Sequence, residues 1–398
     1  MNQEMSQEPQ EPIEGPQITD WTPLQDILGV AHPFFKNCLF LEGFDISSNI
    51  YAVVGDYVSF IDPGNDYTAF IQLFEKGYRP TDIKKIVITH GHREHVMGIL
   101  ELFRYPSIQQ EKDLEVFLMD TAPEALVELV KEFGCKMTQV KNGDVLDLSG
   151  FQLEVIHTPG HTMDSICLYH PSTKAIFTGD TVIPQAVSSP DPTGGGRADY
   201  YLFSLRILMN MGLKHLLPGH GMPVAHEAQK VLEGSYAGAI KQIIGLKTPW
   251  LEGASLMARK KYLAEAAFCC DMVLKEEPDN LKALELKASC LSDMGKFEEA
   301  YEIFDRLSKE IGSYTFANMG KGYSLLGLGK YKEAIMYFNK VLKRNPAHRM
   351  AKIYKGIALY LSGKQEEALG IDEFKEEFVA RFMKEVEKGA QERGLDLQ

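Results

Sequence analysis

The chain has 398 residues, of which 44% are hydrophobic and 24% are charged, and its formal net charge is −13. This composition excludes a wholly disordered, collagen-like or disulfide-scaffold protein, and the sequence has no run of 18 uncharged apolar residues that could cross a bilayer. The length predicts two domains. We therefore expect a soluble protein that has no membrane partner.

The acidic charge is concentrated in the first part of the chain. Residues 1–240 contain 16 basic and 31 acidic side chains, whereas residues 241–398 contain 26 and 24. Proteins that bind nucleic acids usually carry a basic patch or stripe, and an acidic domain repels a phosphate backbone at long range. We expect no nucleic-acid partner.

The first 20 residues are rich in Glu, Gln and Pro and contain neither Lys nor Arg. They predict a disordered tail over 1–20 and no secretory signal. The six cysteines are scattered without a CxxC pair, which is typical of reduced thiols in a cytosol. The predicted location is therefore the cytoplasm.

Residues 35–220 alternate short, β-rich apolar runs with helical stretches, which is an α/β pattern. We assign this α/β domain to residues 21–240. The apolar runs that predict strands are 51–54, 58–61, 86–88, 153–156 and 175–177.

Four apolar runs lead into loops that carry residues able to bind a metal. These loops contain HGHREH at 90–95, PGH ending at His161, GD ending at Asp180 and PGH ending at His220. Imidazole and carboxylate groups suit zinc and non-haem iron, and three histidines within six residues would be costly as core. The sequence therefore predicts a metal site held at strand ends.

The succession HGHREH, TPGHT, TGDT and LPGHG resembles the ligand motifs of the metallo-β-lactamase superfamily of hydrolases, with a glyoxalase-II-like motif set. The resemblance implies a four-layer αββα sandwich with the metals at one edge of its two sheets. The implied ligands are His90, His92 and His161 for a first metal, His95 and His220 for a second, and Asp180 as a bridge between them.

Glu94 stands where the family motif HxHxDH has an aspartate. A glutamate keeps the charge but adds a methylene, so the second metal site has altered geometry or is weak. We expect Glu94 to be a ligand or a general base. Asp62, His157 and Thr162 are expected to hydrogen-bond to the ligands and their backbone.

The resemblance implies two divalent metal ions, with zinc expected first and iron or manganese as alternatives. It implies a metallo-hydrolase whose metal-bound hydroxide, oriented by Asp180, attacks a small-molecule thioester, lactone or related ester. Two other functions stay open. One is a mononuclear-iron enzyme similar to persulfide dioxygenases, and the other is an adaptor whose metal domain is not catalytic.

The loop before the last motif contains Gly196-Arg197-Ala198-Asp199. This segment resembles the GRxD element of glyoxalase-II-like and persulfide-dioxygenase-like members. Arg197 either binds substrate or pairs with Asp199 and anchors the loop. Both roles stay open from the sequence.

From residue 247 the chain changes to Leu, Ala, Lys and Glu at helical spacing, with a period of 34 residues. The pattern resembles the tetratricopeptide repeat (TPR), which implies an all-α solenoid over 247–393. We expect it to bind a protein partner or to mediate self-association. The implied repeats are 281–314, 315–348 and 349–382, with a diverged unit at 247–280.

The repeat pattern weakens at two positions. Lys261 stands where the diverged unit should have its turn glycine. Asp372 occupies the aromatic position that Phe304 and Phe338 fill in the preceding repeats. We expect the remaining residues, to Gln398, to form a polar capping helix.

Overall fold

The computed structural model describes residues 18–109, 113–310 and 314–381. The chain divides into two compact units, one up to Ile243 and one from Ile244. Most of the predicted tail and the segment from 382 onward lie outside the described residues. The domain ranges 21–240 and 247–393 stay predictions.

The first unit already includes residues 18–20 of the predicted tail. The Ile18 amide donates to the Glu42 carboxylate at 2.9 Å, and Lys76 pairs with Asp20 at 3.0 Å. The described part of the first unit therefore begins at Ile18.

Two sheets form the centre of the first unit. Among the described residues the first sheet has seven strands in sequential order: β1 (Thr22–Pro23), β2 (Cys38–Leu41), β3 (Ile50–Val54), β4 (Val58–Ile61), β5 (Ile83–Val87), β6 (Glu115–Met119) and β7 (Lys136–Val140). The second has five, in the order β12-β11-β10-β9-β8: β8 (Val145–Leu148), β9 (Phe151–His157), β10 (Ile166–His170), β11 (Ala175–Gly179) and β12 (His215–Pro218).

Both sheets are mixed. Strands β1 to β4 pair antiparallel and β4 to β7 pair parallel, whereas in the second sheet only β11 and β12 run parallel among the described strands. The helices of this unit are α1 (Leu24–Leu28), α2 (Pro33–Lys36), α3 (Tyr67–Glu75), α4 (Arg93–Val96), α5 (Gly98–Leu102), α6 (Pro106–Gln109), α7 (Glu124–Glu132), α8 (Ala198–Met209) and α9 (Ala228–Ile244).

The two sheets pack face to face. One buried cluster contains side chains from both, and the rings of Tyr51 in β3 and Phe177 in β11 lie 5.0 Å apart within it. A second cluster covers the other face of the first sheet, where Phe60 in β4 contacts Phe70 in α3. The predicted αββα sandwich is confirmed.

The five predicted strands are present, although their ends differ from the prediction. The run predicted at 86–88 is longer on its N-terminal side, because Lys84 and Lys85 of β5 interrupt its apolar pattern while their backbone continues the sheet. Several other strands were not predicted, among them β7 (Lys136–Val140). It lies at a sheet edge and buries only Val140 fully, so its sequence has little apolar signal.

The second unit consists of paired helices, which confirms the predicted TPR solenoid. Their starts follow the 34-residue period from α12 onward, because the same small and aromatic residues recur at each pair. The described helices are α10 (Trp250–Arg259), α11 (Leu263–Glu276), α12 (Leu281–Asp293), α13 (Phe297–Glu310), α14 (Thr315–Gly327), α15 (Tyr331–Arg344), α16 (Arg349–Leu361) and α17 (Gln365–Leu369).

The turn between paired helices needs a left-handed residue. Gly295, Gly329 and Gly363 have φ values of +78°, +74° and +87°, and Lys261 has a φ of +67° at the equivalent place. The diverged unit therefore makes the same turn without a glycine, at a cost of about 1–2 kcal/mol.

The last described pair changes its register. Helix α17 ends at Leu369, and helix resumes at 372. A Cβ at Gly322 would lie 2.6 Å from the Phe338 ring, and a Cβ at Gly356 would lie 2.3 Å from Phe374. Phe374 therefore packs where the sequence period places Asp372.

Candidate metal centre

Loops from four strand ends meet at one place in the first unit. Their side chains form two groups, and within each group one candidate ligand atom per residue lies within 4.8 Å of the others. Asp180, which follows β11, belongs to both groups. The first group is His90, His92, His161 and Asp180, and the second is Glu94, His95, His220 and Asp180.

The first group brings the loops after β5 and β9 together. The Nδ1 atom of His92 lies 3.2 Å from Nε2 of His161. That Nε2 atom lies 3.8 Å from Oδ2 of Asp180. The His90 ring completes the group, with its centre 4.6 Å from that of His92 and 5.1 Å from that of His161.

The second group is arranged around the same carboxylate. Nε2 of His95 lies 3.3 Å from Oδ1 of Asp180, and Nε2 of His220 lies 3.6 Å from Oδ2. Glu94, on the same short helix as His95, places Oε1 3.7 Å from Nδ1 of His92. The longer side chain at this position therefore still reaches the centre.

The residues present fit a bound cation. His90 Nε2, His95 Nε2 and Asp180 Oδ1 are buried and make no hydrogen bond with any described residue. A buried polar atom without a hydrogen bond destabilises a fold, and most buried polar groups in proteins have partners. Nitrogen and carboxylate oxygen atoms are the donors that zinc and non-haem iron accept. Divalent metal ions therefore suit both groups.

The electrostatics keep His90, His161 and Asp180 in their metal-binding forms. Burial lowers the pKa values of His90 and His161, which leaves both rings neutral. Burial also lowers that of His95, but the carboxylates of Asp180 and Asp62 outweigh it and raise the pKa to about 10. Burial raises the pKa of Asp180, but the adjacent His95 charge dominates and lowers it.

Asp62 contacts one of the candidate ligands, His95, as expected. It follows β4 with a left-handed φ of +50°, a conformation that aspartate tolerates better than most residues. Its carboxylate accepts from the Thr89 amide at 2.8 Å and from Nδ1–H of His95 at 2.8 Å. This contact orients the ring so that the Nε2 atom of His95 faces Asp180.

The centre also requires close backbone approach. A Cβ at Gly219 would lie 2.5 Å from Oδ1 of Asp180 and 2.7 Å from Cε1 of His95. Only glycine fits there without moving a candidate ligand. This explains why a glycine precedes His220.

Asp191 contacts the centre although no sequence motif indicated it. Its Oδ2 atom lies 3.0 Å from Nε2 of His92, on the side of the ring away from the other histidines. The surrounding sequence, DPTGGG, reads only as a turn. The sequence carries no signal for this contact, because 99 residues separate the two side chains.

Arg197 lies outside the two groups. Its Nε and NH2 atoms donate to the Asp199 carboxylate at 3.0 and 2.7 Å, and its guanidinium lies 4.5 Å from the centre of the Tyr200 ring. Of the two roles left open, the pairing with Asp199 is therefore present. Substrate binding by Arg197 stays a prediction.

The remaining flanking residues support the motif loops. Nε2 of His157 lies 2.9 Å from the Met163 carbonyl oxygen, and Thr162 contacts the Ser165 hydroxyl at 2.7 Å. Both contacts lie within the loop that presents His161. They agree with the expected role of these residues as supports of ligands and backbone.

Comparison with known proteins identifies the family. Residues 43–226 match the family model of the metallo-beta-lactamase superfamily. A probable metallo-hydrolase of Methanocaldococcus jannaschii is 34% identical over 196 residues, which cover 46% of this chain and 91% of that protein. The chain belongs to the metallo-β-lactamase superfamily. Its helical unit matches models for a tetratricopeptide repeat at 319–373 and for subunit 3 of the anaphase-promoting complex at 259–341.

Two further relatives are named as a thioesterase and a hydroxyacylglutathione hydrolase. An atrochrysone carboxyl ACP thioesterase of Aspergillus fumigatus is 29% identical over 150 residues, or 37% of this chain. A hydroxyacylglutathione hydrolase of Haemophilus influenzae is 29% identical over 143 residues, or 33% of this chain. This chain spans 42% and 64% of their lengths. No described helix has the length and apolar content needed to cross a membrane.

Proposed function

We propose that this protein is a metal-dependent hydrolase of small-molecule thioesters, with lactones and related esters as the next candidates. In the reaction, water adds to the acyl carbon and the C–S bond breaks, which yields a carboxylate, a thiol and a proton. The thiol leaves readily because its pKa lies well below that of an alcohol.

The observation that carries this proposal is the pair of donor groups that share Asp180. Glu94 keeps the second group at three residues besides the shared carboxylate, so the substitution of Asp by Glu does not remove a donor. Two complete groups suit two ions, whereas a mononuclear oxygenase needs only one. The two relatives named as thioesterase and hydroxyacylglutathione hydrolase support a thioester as the first substrate class.

The proposed ligands are His90, His92 and His161 for the first ion and Glu94, His95 and His220 for the second, with Asp180 between them. Divalent ions held there supply an acidified water and polarise the acyl oxygen.

Asp180 and Glu94 are proposed to handle the proton. Asp180 is buried between the two donor groups, where its carboxylate can accept a hydrogen bond from the attacking water and orient it. The Glu94 side chain is 32% exposed, so its carboxylate can receive that proton and return it to solvent or to the leaving sulfur.

Three finer assignments accompany the proposal. We propose zinc as the resident metal, because the ligands are mainly imidazole. We propose a cytoplasmic location, because the six cysteines are scattered along the chain without a CxxC pair. We also propose that the repeats recruit a protein partner or mediate self-association, because such arrays present extended surfaces.

The test combines metal content with a substrate screen. The full chain is purified without chelators or added metal and with oxygen excluded, and metals are counted by elemental mass spectrometry. Thiol release from short and long acyl thioesters and lactone opening are then measured, with Asp180→Asn as the inactive control. We expect about two zinc ions per chain and thioester cleavage that Asp180→Asn abolishes.

Other results would overturn the proposal. About one iron per chain together with persulfide oxidation would assign the chain to the mononuclear oxygenases. A protein without metal, whose partner binding survives Asp180→Asn, would be an adaptor.

A further inference from the structure

The loop between β11 and α8 contacts two of the proposed ligands of the first metal. The Ser189 carbonyl oxygen lies 2.8 Å from Nδ1 of His161, and the Asp191 amide donates to the His161 carbonyl oxygen at 2.8 Å. The Asp191 carboxylate contacts His92 at 3.0 Å. This short segment therefore touches His92 and His161, which come from different strand ends.

The Asp191 carboxylate is itself held in position. Its Oδ1 atom accepts from the Thr193 amide at 2.9 Å, and its Oδ2 atom accepts from the Gly194 amide at 3.0 Å. The loop also lies close to the second motif, since a Cβ at Gly196 would lie 2.2 Å from the His161 carbonyl oxygen. These contacts leave the carboxylate little freedom to turn away from His92.

An ionised carboxylate can only accept hydrogen bonds, so Nε2 of His92 must carry the proton. A neutral imidazole has one donor and one acceptor nitrogen, which leaves the Nδ1 lone pair of His92 directed towards His161. The contact of Asp62 with His95 has the opposite sense. It places a proton on Nδ1 and turns Nε2 towards Asp180.

We propose that Asp191 is a positioning residue for the first metal site, where it fixes the Nε2–H tautomer and the ring orientation of His92. This inference rests on the proposed binding of metal by His92. Partners of this kind typically change metal affinity by about 10- to 100-fold when they are removed. Because Asp191 contacts His92, His161 and its own loop, its loss affects the first site and spares the second.

The test measures metal retention in the full chain. Wild type, Asp191→Ala, Asp191→Asn and the control Thr193→Val are loaded with zinc and titrated with a competing chelator. Thr193→Val removes a hydroxyl that bonds to Asp191 within the loop but leaves the carboxylate on His92. The cobalt-loaded proteins are compared by absorption spectroscopy, and the histidine tautomers of the metal-free proteins by nitrogen NMR.

We expect Asp191→Ala to hold its weaker metal about 10- to 100-fold less tightly than wild type, with the other ion retained. The metal affinity of Asp191→Asn should lie between those of wild type and Asp191→Ala, because an amide presents only one acceptor atom. Thr193→Val should match wild type. In metal-free wild type the His92 proton should be on Nε2, and Asp191→Ala should populate the other tautomer.

Several results would overturn the inference. If Asp191→Ala retains both ions as wild type does, or if Thr193→Val loses metal as strongly, the residue only shapes its loop. Equal weakening of both sites would also contradict it. A wild type that binds no metal would overturn the proposed function as well. Circular dichroism identifies an Asp191→Ala protein that fails to fold, in which case Asp191→Asn decides.

Discussion

The two units bury charged side chains in different ways. In the helical unit Lys321 is 5% exposed, yet its ammonium group hydrogen-bonds to the Asp305 carboxylate, which lies 16 residues earlier. In the first unit Asp180 is 6% exposed, and its Oδ1 atom has no hydrogen-bond partner among the described residues. The buried ammonium group of Lys321 is compensated by a carboxylate of the same unit. The buried Oδ1 atom of Asp180 is instead an acceptor that suits a bound cation.

The Lys321 ion pair contributes to helix packing, whereas the groups around Asp180 suit a chemical function. The Lys321 pairing repeats at Lys287 and Asp271 with the same 16-residue spacing, so it belongs to the packing of neighbouring helices. The donor groups around Asp180 do not repeat, and they come from four distant loops. Buried polar atoms without a hydrogen-bond partner persist in a fold when a ligand or a reaction requires them.

Asp180→Asn provides the strongest test of this comparison. The change removes the carboxylate shared by both donor groups, so we expect metal loss and a fall in thioester hydrolysis of about 10³-fold or more. The matched change Asp305→Asn removes the partner of Lys321 in the other unit. It should lower helical stability and leave metal content unchanged. Elemental analysis, turnover and chemical denaturation of both variants would test this, and metal loss from Asp305→Asn would break the comparison.

Phe374→Ala tests the register of the last repeat. The ring packs on Gly356 and is 4% exposed, so its truncation should lower the free energy of unfolding by about 3–4 kcal/mol. Asp372→Ala, at the position that the sequence period assigns to the aromatic, should change it by about 0.5 kcal/mol or less. Urea denaturation of both full-length variants separates the two registers. A larger loss of stability in Asp372→Ala than in Phe374→Ala would show that the last repeat keeps the strict 34-residue period.

Gly219→Ala should damage the centre through one methyl group. The added Cβ would press on Asp180 and His95, so we expect metal affinity to fall by about 10- to 100-fold. Gly234→Ala is the matched control in helix α9, where a Cβ has open space. It should raise stability by about 0.5–1 kcal/mol. Chelator titration and thermal unfolding of the two variants measure these opposite outcomes, and unchanged metal affinity in Gly219→Ala would contradict the packing argument.

His170 shows what a buried histidine does when it is not a candidate ligand. It stacks on Phe34, and burial together with His32 lowers its pKa to about 4. The unfolded chain therefore binds a proton first on acidification, and stability present above pH 6.5 is lost as the pH falls towards 4. At pH 5 this costs at most about 2 kcal/mol. His170→Phe should reduce the loss seen between pH 7 and pH 5 in thermal unfolding, and an unaltered pH profile would exclude this cause.

Lys261→Gly is expected to have the smallest effect. The left-handed backbone of Lys261 costs a lysine more than a glycine, so the change should raise stability by about 1 kcal/mol. Lys260→Gly, one residue earlier and at a φ of −80°, should not be stabilising. Chemical denaturation of the two variants compares them directly. A gain at both positions would show that the turn conformation is not the cause.

Local sequence patterns predicted much of the fold, because apolar runs and the 34-residue repeat can be recognised within short stretches of the chain. The 34-residue repeat predicted the helix pairs, since each helix packs mainly on its neighbours. Apolar runs predicted five of the strands and missed others, among them β7, whose exposed edge has few apolar residues. The break after Leu369 was not predictable in detail. The position of this break depends on the packing of the Phe374 ring against Gly356.

The sequence alone determined the donor types, their order and the repeat period, because these are properties of neighbouring residues. Only the tertiary structure decided that Glu94 reaches the centre, that Arg197 pairs with Asp199, and that Asp191 contacts His92. Contacts of the last kind join side chains that are far apart along the chain and adjacent only because two sheets pack together. No local pattern encodes them.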